Sequence, residues 1–303
     1  MKRILRITGI ILVVLIVILA LAGIGVVTAS NQTLNRTYEA YTVPDLTLPE
    51  GDELDALITE GEHIYGSRGC TSCHGSNGSG AILIDDPALG VIRGSNLTTG
   101  TGGVAENYET TSDWIRAIQH GVRPDGTSLF IMPSGAFTNM HETEMLAVIA
   151  YMENLDPVDN DEAVYQLGPI GHVLIALGEI PAVATTVNHD EVALSQVERT
   201  VSVEYGATLG LTCAECHGED YGGAASPDGI WAPNLTVHEN GFVGQYTFDQ
   251  FVSTLRTGQT PDGTVMDAIA MPFPYFGRMT DTELEALYLY LQAQTAVNNP
   301  QPE

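Results

Sequence analysis

The chain opens on a long apolar block. After Arg6 no charged residue appears before Arg36, and Ile7 to Val27 is almost wholly apolar. A run of about 20 such residues can cross the hydrocarbon core of a bilayer as a helix. The basic residues in front of it (Lys2, Arg3, Arg6) predict a cytoplasmic N-terminus and an extracytoplasmic body. Residues 1–29 thus read as a single-pass transmembrane anchor in the cell membrane. Val27-Thr28-Ala29 also resembles a signal-peptide cleavage site, although the apolar run exceeds the usual ~7–15 residues of such a segment. Both readings put the body on the same, periplasmic or cell-surface, side. Residues 30–50 carry few large apolar side chains and two prolines, Pro44 and Pro49, and read as a tether.

Beyond the tether the pattern is helical and occurs twice. Ser112 to Gly121 and Asp249 to Gly258 are amphipathic stretches that end at glycine, a common helix terminator. Each is followed by Pro-Asp-Gly-Thr, at Pro124 and Pro261, which signals a turn. Then come Met132-Pro133 and Met271-Pro272, and a closing helix, Glu142 to Leu155 or Asp281 to Gln294. Apolar positions in the first closing helix (Met145, Val148, Ile149, Met152) keep helical spacing. No stretch reads convincingly as a sheet. The expected fold is all-α: two tandem domains, residues 51–157 and 201–298. Residues 158–200 join them, and 299–303 form a tail.

Charge narrows the partners. There are 38 acidic against 11 basic residues, a formal charge of −27, and Lys2 is the only lysine. Phosphate would be repelled, so nucleic acid is not a partner. An acidic surface suits a redox protein with a basic docking surface, steered in a salt-dependent way. It also suits a saline or acidic habitat.

The chemistry sits in four cysteines: Cys70-Thr71-Ser72-Cys73-His74 and Cys213-Ala214-Glu215-Cys216-His217. Each is a C-x-x-C-H haem-attachment signature. Two thiols three residues apart on a helical turn can each bond one vinyl-derived carbon of a porphyrin, and the adjacent histidine then faces the iron. A thioredoxin-like motif needs no following histidine and would accompany a βαβ pattern. A zinc site would expect tighter spacing than the roughly 140 residues between these pairs. Two disulfides would leave two histidines in register unexplained.

Haem iron held by histidine needs a sixth ligand or an open position, and methionine suits electron transfer. Met145 and Met152 align with Leu284 and Leu291, so they read as core, and Met266 has no obvious partner. Met140 and Met279 each precede a closing helix. Thr280 to Glu283 reads as a capping box, which makes Met279 and Leu284 a hydrophobic staple. Met132 and Met271 lie in loops before proline, which stiffens them. They are the expected ligands. None of His63, His120, His141, His172, His189 and His238 is matched in the other half, so these read as surface or satisfied histidines. Arg116 and Arg256 fit equally as propionate partners or solvent-facing residues.

From Gly61 to Val297 the ordered motifs resemble tandem class I cytochrome c domains. More narrowly, the chain is similar to membrane-bound dihaem cytochromes such as the cytochrome subunits of bacterial alcohol and aldehyde dehydrogenases. The apolar stretch Leu167 to Gly178 also recurs in such chains; it is expected between the domains or near the membrane. The resemblance implies two covalently attached haem c groups. Cys70, Cys73, Cys213 and Cys216 would form the thioethers, His74 and His217 the proximal ligands, and Met132 and Met271 the distal ones. It implies electron transport, alone or as a subunit of a larger respiratory or dehydrogenase complex, and no catalytic residues. Such dehydrogenase subunits often carry three haem motifs, and this chain has two. The competing expectation is a haem enzyme such as a dihaem peroxidase, which needs an open iron position.

Overall fold

The computed structural model describes residues 2–39, 41–225 and 229–301, and all of Lys2 but its side chain. The basic side chain of Lys2 and the last two positions of the expected tail therefore lie outside the described residues. Helix α1 (Lys2–Leu34) takes in the whole apolar block. It is long and apolar enough to cross a membrane. Its large apolar side chains from Ile4 to Ile24 are all exposed.

The first unit begins with α2 (Asp52–Ser67), which carries acidic residues in its first turn. Arg68 and a left-handed Gly69 break the helix before α3 (Cys70–His74). The strands β1 (Ile82–Asp86) and β2 (Gly90–Arg93) follow. Next come α4 (Thr111–His120) and α5 (Glu142–Glu153). The joining segment contributes β3 (Tyr165–Leu167) and α6 (Pro169–Leu177). The second unit has α7 (Val203–His217), β4 (Ala224–Ala225), β5 (Trp231–Ala232) and α8 (Phe242–Gln245). It closes with α9 (Phe248–Thr257), α10 (Phe273–Phe276) and α11 (Asp281–Gln292).

The strands are the departure from the sequence expectation. β1 and β2 form an antiparallel hairpin, and β3 pairs with β2 with Gly90 opposite Leu167. β4 and β5 make a two-residue pair. These segments are short and mostly half-exposed. They lack the long alternation by which a strand is recognised.

Helix ends follow the capping chemistry. Thr110 with Asp113, Thr247 with Gln250 and Thr280 with Glu283 form capping boxes on α4, α9 and α11. Gly121 and Gly258 end α4 and α9 at φ 68° and 73°, a left-handed conformation that favours glycine. Met279 and Leu284 lie buried in one core cluster, and Met140 and Met145 in the other. In α5 the parallel is incomplete. His141 caps it by accepting from Thr143 N–H, and Glu144 points elsewhere.

Two apolar cores result. One gathers residues between Ile64 and Met152, the other residues between Tyr205 and Leu291. In each, an N-terminal helix crosses the closing helix at a glycine. Gly61 packs α2 on α5, and Gly206 packs α7 on α11. The tether residues Val43 and Leu46 pack against the first core, and Leu46 N–H donates to Thr111 Oγ1. Part of the joining segment is strapped to the first unit through Ala193 N–H to Thr138 and Ser195 N–H to Met140.

Candidate functional site

Each C-x-x-C-H motif ends a helix, and the fold fixes its histidine in the same way twice. His74 Nδ1–H donates to the Ser95 carbonyl at 2.9 Å, and His217 Nδ1–H to the Pro233 carbonyl at 2.6 Å. A carbonyl only accepts, so the proton stays on Nδ1 and the Nε2 lone pair is free for a metal. Burial pushes both imidazoles below their ordinary pKa and keeps them neutral.

The residues after those carbonyls explain the Asn-Leu-Thr repeat. Asn96 Oδ1 accepts from Thr98 N–H and Oγ1–H, and Asn96 Nδ2 donates to the Val158 carbonyl. Asn234 does the same with Thr236 and Val297. Each asparagine thus latches the loop carrying the histidine's acceptor to the chain leaving the closing helix. Both are buried.

In the first unit, Cys70, His74 and Met132 line one cleft. Arg68, Trp114 and Met140 line it too. In the second unit, Cys213 and Met271 are half-buried against the core. Burial pushes the Cys70 and Cys213 thiols up to about 12. They are not thiolate nucleophiles.

The Met-Pro loops are alike in backbone. Pro133 (φ −79°, ψ 63°) and Pro272 (φ −76°, ψ 55°) each centre an inverse γ-turn. It closes by Ser134 N–H to the Met132 carbonyl and Phe273 N–H to the Met271 carbonyl. A 3₁₀ turn or short helix follows each, so both methionines are pinned from the C-terminal side. On the other side, Ile131 sits at φ 62°, strained for a β-branched residue. Met266 finds a counterpart here: its N–H donates to Gly258 as Leu129 N–H does to Gly121.

Arg116 and Arg256 are engaged elsewhere. Arg116 bonds Asp113 and the Tyr41 carbonyl, and Arg256 bonds Asp281 and the Gly277 carbonyl. The six unmatched histidines also have protein partners, for example His120 with His189 at 2.9 Å. Among the described residues no group of three or more His, Cys, Asp or Glu could hold a metal ion.

Arg68 is the residue that sequence reasoning missed. It is buried, lines the first cleft, and its Nε has no protein partner. A buried guanidinium donor facing an apolar cleft fits a flat apolar ligand with carboxylate arms, as haem is. The spacing holds the signal: Gly61 to Cys70 is two residues longer than Gly206 to Cys213, and Arg68-Gly69 are the extra pair.

Arg68 also faces the second unit. It pairs with Glu144, whose carboxylate accepts from Tyr205 Oη–H at 2.8 Å and lies 3.3 Å from Arg199 Nε. Beside them, His63 Nε2 meets Glu283 at 3.0 Å across the units. The hydrogen bond to Glu283 raises the His63 pKa, against burial. Burial would push the Glu283 carboxyl up. The His63 bond, the Thr280 N–H and the Arg68 charge outweigh it and bring Glu283 down to about 2.

These shifts carry opposite signs. The Glu283 share, about 3 kcal/mol for a fall from 4.5 to about 2, is present above pH ~4.5 and lost as pH falls through about 2. The His63 share is full below pH ~6.5 and lost as pH rises through its raised value. His63→Gln should therefore cost about 1.5–3 kcal/mol at pH 5.5, the worth of a charged hydrogen bond. The cost should be smaller at pH 9, as urea unfolding at the two pH values would read.

The family model for cytochrome c matches residues 58–156 and 203–295. The chain is 25% identical to the cytochrome c subunit of a quinone alcohol dehydrogenase from Gluconobacter oxydans, over 81% of this chain and 56% of that protein. It is 33% identical to the fructose dehydrogenase cytochrome subunit of Gluconobacter japonicus, over 34% of this chain and 23% of that one. It is also 33% identical to the gluconate 2-dehydrogenase cytochrome c subunit of Pantoea cypripedii, over 29% and 21%. The chain thus spans about half the length of the first relative and less than a quarter of the others.

Proposed function

Because the chain belongs to the cytochrome c family, whose cofactor is covalent haem c, we propose that it is a membrane-anchored dihaem electron carrier, with one haem per unit. Haem supplies a one-electron couple when bound, and the protein tunes it. Cys70 and Cys73 hold the first group and Cys213 and Cys216 the second. His74 and His217 are the proximal ligands, and Met132 and Met271 the distal ones. The observation that carries this is the duplicated histidine geometry, a neutral ring held by Nδ1 to a latched carbonyl in both units. Equivalent Met-Pro turns leave neither unit an open position, which favours a carrier over a peroxidase-like enzyme.

α1 is the single-pass anchor, with its N-terminus cytoplasmic. The relatives are named as dehydrogenase subunits, so the chain serves beside or within such an oxidoreductase complex, passing electrons to a further acceptor. The partner face is on the second unit. In the first unit the loop before Met132 is covered by the chain itself: Ala184 N–H donates to Ser128 Oγ, and Leu129 and Phe130 line one small pocket with Thr33, Leu34 and residues 180–182. The loop before Met271 is bare, with Val265 75% and Ile269 94% exposed, and carries Asp262 and Asp267 but no base. An apolar patch with acidic neighbours suits a partner with a basic rim.

The test is optical and kinetic. Oxidised protein should show a sulfur-to-iron band, and Met132→Ala and Met271→Ala should each remove about half of it and lower one midpoint potential. The reduced protein should reduce a small basic cytochrome at a rate that falls with ionic strength. A high-spin wild-type spectrum that responds to peroxide would overturn the carrier reading.

A further inference from the structure

α6 is apolar on nearly every side, with sequence PIGHVLIAL. Its inner face is accounted for. A Cβ on Gly171 would lie 2.3 Å from the Leu89 carbonyl, and Ile175 is buried and lines a small pocket with Thr33 and Leu34 of α1. Its outer face is not. Ile170, Val173 and Leu177 are 48%, 38% and 70% exposed. At spacings of three and four residues they make one stripe along the helix. The stripe holds no charged side chain.

The position of α6 says what covers this stripe. α6 packs on α1, and His172 Nδ1 hydrogen-bonds Ser30 Oγ at 3.0 Å. Ser30 is fully buried by that packing. It lies three residues, about 4.5 Å of helix rise, beyond Val27, where the apolar run of α1 gives way to Thr28, Asn31, Gln32 and Thr33. The headgroup zone of a bilayer is about 5–7 Å deep on each side. With the apolar run of α1 in the hydrocarbon, α6 is held at headgroup depth beside it.

We propose that Ile170, Val173 and Leu177 insert into the outer leaflet of the bilayer, as a second, peripheral membrane contact next to the anchor. This rests on reading α1 as membrane-spanning. An interfacial helix of this kind buries its apolar face about 5–10 Å into the headgroup boundary. The lipid is zwitterionic, because the acidic chain is repelled by an anionic surface. The contact orients the haem-binding body. Ile170 N–H donates to the Ala88 carbonyl, so the tip of the β1–β2 hairpin is set against the membrane with α6. The bare loop of the second unit has no such cover from α6 and stays available to a partner.

The test uses the full chain in phosphatidylcholine nanodiscs, with a nitroxide on a single introduced cysteine. Val14→Cys in α1, Val173→Cys and Leu177→Cys in α6, and Gln166→Cys, exposed on β3, are compared. All four positions are exposed, so the labels need not disturb packing. The ratio of relaxation by oxygen to relaxation by a water-soluble nickel chelate should be several-fold higher at 14, 173 and 177 than at 166. A high ratio at 14 with values at 173 and 177 equal to that at 166 overturns the inference while the anchor stands. A low ratio at 14 as well overturns the anchor reading and the inference with it.

Discussion

Gly61→Ala and Gly206→Ala are each expected to destabilise the protein by about 3 kcal/mol or more, the upper end of overpacking costs. A Cβ at Gly61 would lie 2.0 Å from the Ala147 carbonyl oxygen and 2.7 Å from Tyr151 Cβ. At Gly206 the corresponding distances are 2.0 Å to the Ala286 carbonyl and 2.6 Å to Tyr290 Cβ. The obstacle is backbone of the closing helix, which no rotamer change can relieve. The helices must separate, and every apolar contact along α2 and α5, or α7 and α11, loosens with them. The urea midpoint should fall in either variant, and haem incorporation should fall with it. Gly9→Ala, where nothing lies within 4 Å, is the control that should stay near wild type.

The second large effect belongs to the Arg68–Glu144 pair of the first unit, buried where Tyr205 of the second unit meets it. Arg68→Met should cost about 3–5 kcal/mol, because it leaves a buried carboxylate short of its partner. Glu144 is 0% exposed and keeps only Arg199 and the Tyr205 hydroxyl. Removing both members, in Arg68→Met with Glu144→Leu, should recover most of the loss, since replacing a buried pair with apolar side chains is often neutral. A double-mutant cycle on urea unfolding reads this coupling directly. If Arg68 contributed only apolar packing and not its charge, the two single costs would add. Arg68 also lines the first cleft, so the single variant should disturb the optical spectrum of that haem as well.

The proposed site is read from the chain because its motifs are written twice. The repeat matches Met132 with Met271 and Met140 with Met279, and the staple before each closing helix and the proline after Met132 and Met271 set the two pairs apart. The structure puts the latter pair in the cores as the staple geometry requires. The purpose of Asn-Leu-Thr was not legible. Its bonds run to Val158 and Val297, about 60 residues away, and no local pattern encodes a contact of that range. Arg68 escaped for a related reason. Its environment is made by α5 and α7, which lie far from it in sequence.

Haem attachment, the helical units and the apolar N-terminal helix were thus determined by the sequence alone, because each rests on chemistry within a few residues: thiols on one turn, apolar spacing, caps and run length. The tertiary structure decided the rest. It buried Arg68 and Glu144 between the units, covered one Met loop while leaving its twin bare, and stood α6 beside α1 at Ser30. Those outcomes depend on which surfaces meet. Two similar repeats diverge there, because the tether, α6 and the end of α1 lie with the first unit, while Val197 of the joining segment packs against the second core.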